Sequence, residues 1–527
     1  VTLIHDAGYA VRFLAALPPL LRHPLTPGEA RALVRHRLAR RDADFVDLAR
    51  RTIFRRPGHP LRRLLDLAGC LPGDLERLVG QEGLDGALQA LLRRGVYLTI
   101  DEFKGRTPVR RGSATFTLDP TELLNPLAAR HLPAETGGSR GRRTVVPWDI
   151  RYLRDEDLSL CLLRDAIGTP AWRYASWAAP GSVAIMRILG SVVAGTPSSR
   201  WFSQLDPASA GLHPRYRWSA HCLRLGALLA GVSLPRPEPV PLADPMPIVR
   251  WMAGTLADGG IPCVSTTTSC AVRICEAASA EGIALAGARL VLGGEPTTPA
   301  RLATIRSVGA VGIPSYRTMD LGRIGQACPA GQLPDEMHLM DDLLGVIQAS
   351  DDDRALSGLL PKTLLFTTLR PLAPFVLINV SLGDQADIAA ARCGCPLQHA
   401  GWVRRIHGVR SSEKLTTGGI SLLDSQVTRA LEEVLPVRFG GGALDYQLVE
   451  SIEGSGQSSL RLLVHPRLGL LDERAVADAF LAAVGGTGAD RVRELQMRQG
   501  GMLVVERAIP RPTAAGKVLH LHQDRPN

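Results

Sequence analysis

Apolar positions recur three and four residues apart through residues 27–54 and 74–95, the spacing that gathers them on one face of an α-helix. Residues 1 to about 130 therefore read as mostly helical. From about 258 to 316 the pattern changes: residues IPCVSTT, ARLVLGGE and AVGIPSY read as strands, and the two stretches between them carry helical spacing. That is βαβαβ, the signature of a parallel sheet covered by helices. Ligands of such sheets collect outside the carboxyl ends of the strands. The turns at Ser265, Thr266, Thr267 and Thr268, at Gly293 to Pro296, and at Ser315 to Asp320 would share one crevice there. A polar strand terminus explains the Ser-Thr run equally well.

Past residues 364–384 come a Cys-Gly-Cys-Pro turn and a basic stretch ending near Arg410. Beyond it, helix 423–434, strands 444–452 and 459–466, helix 472–486 and strand 501–509 spell a compact α+β unit. The chain is thus expected to be α/β, with a large N-terminal domain of parallel and mixed sheets over 1–410 and a small C-terminal domain over 411–527.

Composition narrows the function. With 527 residues, 45% hydrophobic and 21% charged, the chain has enough apolar content for several packed cores and is not a disordered polymer. The net charge of +10 comes from scattered arginines, the only lysines being Lys104, Lys362, Lys414 and Lys517. Without a basic stripe or tail, nucleic acid is not the expected partner, although the charge favours anionic nucleotides. The apolar stretch from Ala10 to Leu21 is broken by Arg12, Pro18 and Pro19, and that from Ala175 to Val193 by Pro180 and Arg187. No secretory signal or membrane span is expected, which points to the cytoplasm. Nine cysteines without dense spacing point to reduced thiols or a metal site.

Three groups carry candidate chemistry. The segment from Thr136 to Thr144, TGGSRGRRT, offers backbone N–H groups, hydroxyls and guanidinium forks for phosphate, or is simply a basic surface connection. Cys328, His338, Cys393 and Cys395 supply three thiolates and an imidazole, either a tetrahedral zinc site across two loops or unrelated thiols. Lys517 stands in a Gly-containing turn, either an idle tail lysine or a compact ammonium where a guanidinium would not fit.

Taken in order, these pieces resemble the phenylacetate-CoA ligase branch of the adenylate-forming superfamily of acyl-CoA synthetases, adenylation domains and luciferases, from about Gly95 to the end. The family's phosphate loop resembles Gly137, Gly138, Ser139, Arg140, Gly141 and on to Thr144, preceded by Thr136. Its Gly-Glu-Pro turn beside the adenine is similar to Gly294, Glu295 and Pro296. Its Tyr-Gly-x-Ser/Thr-Glu motif, with an aromatic on adenine and a magnesium-holding acid, is matched after Ser315 by Tyr316, Arg317, Thr318, Met319 and Asp320. Its ribose-binding aspartate resembles Asp384, its hinge Val409 to Glu413 with Arg410, and its C-terminal Gly-Lys resembles Gly516-Lys517. Four departures stand out: Arg140 replaces a Thr, Arg317 a Gly, Asp320 a Glu, and Asn379 with Ser381 the two arginines of the ribose motif.

The resemblance implies ATP-dependent activation of an aromatic or small aliphatic acid as acyl-AMP, with Lys517 and Asp320 catalytic and Mg²⁺ held by Asp320. It further implies a structural Zn²⁺ on Cys328, His338, Cys393 and Cys395, and a small mobile domain that carries the lysine. Coenzyme A or a carrier protein would take the acyl group. The oligomeric state stays open, a homodimer among the options. The alternatives are a degenerate relative that binds nucleotide without adenylating, a ligase using a nitrogen nucleophile, and a nucleic-acid-binding protein.

Overall fold

In the N-terminal region, Pro at the first helical position and Thr26 as a cap, its hydroxyl accepting from the Glu29 N–H at 3.3 Å, start the helix Pro27–Ala39. Helices Arg41–Ala49, Pro60–Leu67 and Pro72–Arg93 follow, turning Leu48, Leu61, Leu65, Leu88 and Leu91 into the core. The computed structural model describes residues 3–135, 145–168, 172–206, 209, 215–353, 358–411, 414–417, 420–452, 458–485 and 503–524. The helical reading of residues 1–130 holds only as far as Phe103. Beyond it the apolar spacing shortens to alternation, and Val109–Arg111 pairs with Ala114–Phe116 in a hairpin turning at Gly112, φ 56°.

Twelve strands make the main sheet: β1 (Trp172–Ala178), β2 (Arg200–Ser203), β3 (Pro237–Pro239), β4 (Ile261–Thr267), β5 (Arg289–Gly293), β6 (Val311–Thr318), β7 (Gly322–Ala327), β8 (Met337–Leu339), β9 (Leu344–Gln348), β10 (Thr363–Thr368), β11 (Val380–Ala390) and β12 (Arg404–Ser411). Their order is β9-β10-β11-β12-β8-β7-β6-β5-β4-β1-β2-β3. The half from β3 to β6 is parallel and the half from β6 to β9 antiparallel, so β6 belongs to both. The βαβαβ expectation is met by β4, helix Thr268–Ala280, β5, helix Pro299–Ser307 and β6. Near-continuous burial along β4 is what a strand covered on both faces requires.

After β12 a second core forms, around Val427, Leu431, Tyr446, Leu448, Leu462 and Phe480. Its sheet holds β13 (Tyr446–Ile452), β14 (Ser458–Val464), β15 (Leu503–Glu506) and β16 (Leu521–Asp524) in the order β15-β14-β13-β16, with helix Glu473–Val484 packed beside it. The helix expected over 423–434 starts at Asp424 and runs on through a wide turn, Ala430–Val434, to Phe439. No helix among the described residues is long and apolar enough to cross a membrane.

Asn379, one of the departures in the ribose motif, has a structural task. At φ 50°, it turns its side-chain amide back to donate to the carbonyls of Leu88 at 2.8 Å and Val96 at 3.1 Å. This ties the N-terminal helices to β11, and an arginine could not fit the buried position. Asn379→Ala strips two buried carbonyls of their donor and is expected to destabilise the protein by about 2–5 kcal/mol, read from urea denaturation.

Candidate active site

Lys517 reaches the large sheet through a short turn in which the Gly516 N–H donates to the Thr513 carbonyl and the Thr513 N–H to that of Lys517, both at 2.8 Å. The next residue fixes it. The Val518 N–H donates to the Ser269 hydroxyl at 3.1 Å, and the Val518 carbonyl accepts from Arg301 Nη2 at 3.1 Å. Arg301 is fully buried. Its Nε donates to Glu432 at 2.7 Å and its Nη1 lies 3.5 Å from Glu295, while His520 sits 2.6 Å from Glu432. Thr298 adds a short hydroxyl bond to Glu432. A Cβ on Gly294, where φ is 79°, would come within 3.1 Å of both Lys517 Cε and Nζ, so the ammonium lies against this turn. Burial lowers the ammonium's pKa and Arg187 lowers it further, whereas Glu295 raises it.

A cavity of about 2270 Å³ opens beside Lys517. Gly294, Glu295, Pro296, Ser315, Tyr316, Arg317, Asp320, Asp384 and Arg410 all line it. Asp384 and Arg410 lie on the paired strands β11 and β12. The Tyr316 hydroxyl donates to Asp384 at 2.5 Å, joining two residues 68 apart. Of the Ser-Thr run, Ser265 and Thr267 line the cavity. Thr266 donates to the Trp177 carbonyl and Thr268 to that of Glu295. Strand alternation accounts for the split at Ser265, Thr266 and Thr267. The segment Thr136, Gly137, Gly138, Ser139, Arg140, Gly141 and Thr144 lies outside the described residues, as do Ser412 and Glu413.

Several side chains are already engaged. Both Glu295 oxygens accept from Ser269, at 2.8 Å from its N–H and 2.6 Å from its hydroxyl, so this acid faces inward. Asp320 pairs with Lys104 Nζ at 3.1 and 3.2 Å. Burial raises the Asp320 pKa, and Lys104 pulls it down. Arg317 donates to Glu156 at 2.5 Å, which explains a long cation where the motif has Gly.

Cys328, His338, Cys393 and Cys395 present ligand atoms within 4.8 Å of one another. Tetrahedral zinc places sulfurs about 3.8 Å apart and sulfur to nitrogen about 3.5 Å. Here Cys328 and Cys395 sulfurs are 4.0 Å apart, and His338 Nε2 lies 3.5 Å from Cys393 and 3.2 Å from Cys395. His338 Nδ1 is 2.8 Å from the Trp402 carbonyl, leaving Nε2 with its lone pair toward the sulfurs. The donor set and its spacing fit zinc.

No protein-family model and no curated protein matches the sequence. Solved structures do match. 2-Hydroxyisobutyryl-CoA ligase in the postadenylation state with R3-HIB-AMP aligns over 96% of this chain and 92% of its own, at 15% identity and a TM-score of 0.52. The same enzyme with 2-HIB-AMP aligns over 96% and 91%, at 16% identity and 0.51. The fold is that of the adenylate-forming ligases.

On this ligase fold, the sequence reading missed the groups that meet only in three dimensions: Glu156, Arg187, Arg323, and the Arg301, Glu432 and His520 cluster. Lys104 had a usable signal, being one of four lysines. Burial works to raise the Glu432 pKa, yet Arg301 and His520 outweigh it and hold the carboxyl at about 2, against an ordinary 4.5. A depressed acid stabilises the fold fully above its unfolded pKa and loses that contribution as pH falls through the folded one. Melting temperature should therefore drop between about pH 4.5 and 2 with a slope that Glu432→Gln reduces. Glu432→Ala should cost about 3–5 kcal/mol at neutral pH, read from urea denaturation.

Proposed function

We propose that the chain is an ATP-dependent ligase that activates a carboxylic acid as its acyl-AMP and passes the acyl group to the thiol of coenzyme A or of a carrier protein. The observation that carries this reading is the Lys517 ammonium, held against Gly294 at a cavity that Tyr316 and Asp384 also line. The 2-hydroxyisobutyryl-CoA ligase of the same fold holds acyl-AMPs, and this supports the same chemistry here. The volume supports it too: single small-molecule sites run to about 1000 Å³, and about 2270 Å³ accommodates a nucleotide and an acid together.

On this reading the carboxylate attacks the α-phosphorus of ATP, the new C–O–P linkage forms, and the bond to pyrophosphate breaks. Negative charge grows on the α-phosphate oxygens. Lys517 offsets it from a half-buried position at the cavity wall, where a fixed cation acts more strongly than in bulk water. Tyr316 packs on the adenine, Asp384 holds the ribose hydroxyls, and Ser265 and Thr267 face the acid. Mg²⁺ on Asp320 would neutralise the leaving pyrophosphate, and the Lys104 ammonium must then release that carboxylate and is free to turn to phosphate. The Thr136 to Thr144 loop and Arg140 complete the phosphate site. Residues 1–410 bind ATP and acid, and residues 411–527 form a small unit whose rotation near Arg410 withdraws Lys517 and admits the thiol. Zinc on the Cys₃His set is structural, with every position filled by protein.

One observation favours a second reading. The Lys104 ammonium occupies the carboxylate meant for magnesium, as in a chain that binds nucleotide without adenylating. Pyrophosphate exchange that depends on an added acid separates the two, and its absence across a broad acid library would overturn the ligase reading. Lys517→Ala should slow that exchange about 100- to 1000-fold while nucleotide affinity changes little, measured by exchange kinetics and equilibrium dialysis. Elemental analysis of purified protein should find about one zinc per chain, and Cys395→Ser should lose it.

A further inference from the structure

Glu156, Asp157 and Asp320 each face a cation, Arg317, Arg323 and Lys104 respectively, at 2.5, 2.8 and 3.1 Å. Arg187 differs. Among the described residues it makes no ion pair; its Nη1 donates only to the carbonyls of Trp177 at 3.2 Å and Ser265 at 3.3 Å. Burial lowers its pKa most, Tyr174 and Cys270 raise it, and Arg317 and Arg323 lower it further. It arises from helix Ser182–Val193, whose neighbouring Ile185, Met186, Ile188 and Leu189 are all buried in the core. This half-buried guanidinium, with no carboxylate partner, keeps donors available for an anion that enters the cavity. Arg187 lines the cavity.

Its position says which anion. Trp177 and Ser265 stand near the carboxyl ends of β1 and β4, on one side of β6, whereas Asp384 belongs to β11 on the other. Arg187 is thus on the side of β6 away from Asp384, the residue assigned to the ribose. A fork holding both oxygens of the reacting carboxylate would also quench its attack on phosphorus, so the fork suits the far end of the substrate. Beside it, Tyr174 and Ser265 also line the cavity and supply neutral hydroxyls.

Resting on the acid-activating reading above, we infer that Arg187 anchors a second anionic group on the acid, so that the substrate is a dicarboxylic acid or one bearing an equivalent second anion. The experiment compares malonate, succinate, glutarate and adipate with their monomethyl esters, in ATP–pyrophosphate exchange and in calorimetric binding to the full chain. Diacids should exceed matched monoesters in kcat/KM and in affinity by about 10- to 100-fold. Arg187→Gln should erase that preference without changing the KM for ATP, and Arg187→Lys, which keeps the charge, should retain much of it. Monoesters handled as well as diacids, or an Arg187→Gln variant that weakens ATP and every acid alike, would overturn the inference. If no acid supports exchange, Arg187-dependent diacid binding still upholds the anchor and overturns only the adenylating activity. Absence of diacid binding overturns the anchor itself.

Discussion

The buried guanidinium of Arg301 is the constraint on which the arrangement of this molecule depends. It is 1% exposed, and the two carboxylates it meets, Glu295 and Glu432, are 1% and 2% exposed. Charges taken this far from water are tolerated only when each finds its partner in good geometry. Glu295 and Arg301 belong to the segment between β5 and β6, Glu432 to the helix after β12, and His520 and Val518 to the tail. The ion cluster therefore joins three segments that lie far apart along the chain. Ser269 completes it, donating to Glu295 while accepting from Val518.

The same logic governs the cavity's electrostatics. At its wall Asp157 is matched with Arg323 and Asp320 with Lys104, while among the described residues Lys517 and Arg187 make no salt bridge. Cations left without a carboxylate at the wall attract anions to those places. The wall also shows why motif departures need not be losses. Arg317 is held by Glu156, and Asn379 bridges backbone carbonyls where an arginine has no room.

Much of the architecture was legible because the relevant signals are local. The alternation of strand and helix from Ile261 to Thr318 shows in residue types and turn glycines, and so does the α+β pattern from Asp424 onward. The hairpin at Val109–Phe116 carried the same kind of signal, alternation around a glycine, and was hidden by the long helical run before it. The site was legible where a motif is contiguous, as at Gly294-Glu295-Pro296, or where a residue is rare, as with Lys517. It was not legible where partners lie far apart: Arg301 and Glu432 are 131 residues apart, Arg317 and Glu156 161. No periodicity relates such positions. Glu295 shows the limit of motif reading, since its position in the turn is right but its side chain points into the ion cluster.

The tail is gripped through main-chain atoms. Both peptide groups of Val518 are committed, the N–H to Ser269 and the carbonyl to Arg301, while Ala514 on the outside of the turn is exposed. Tolerance to replacement should therefore be uneven along this short stretch. Varied side chains at 514 leave the grip intact. A proline at 518 deletes the donor and lets the neighbouring ammonium drift, although no charged atom has been altered.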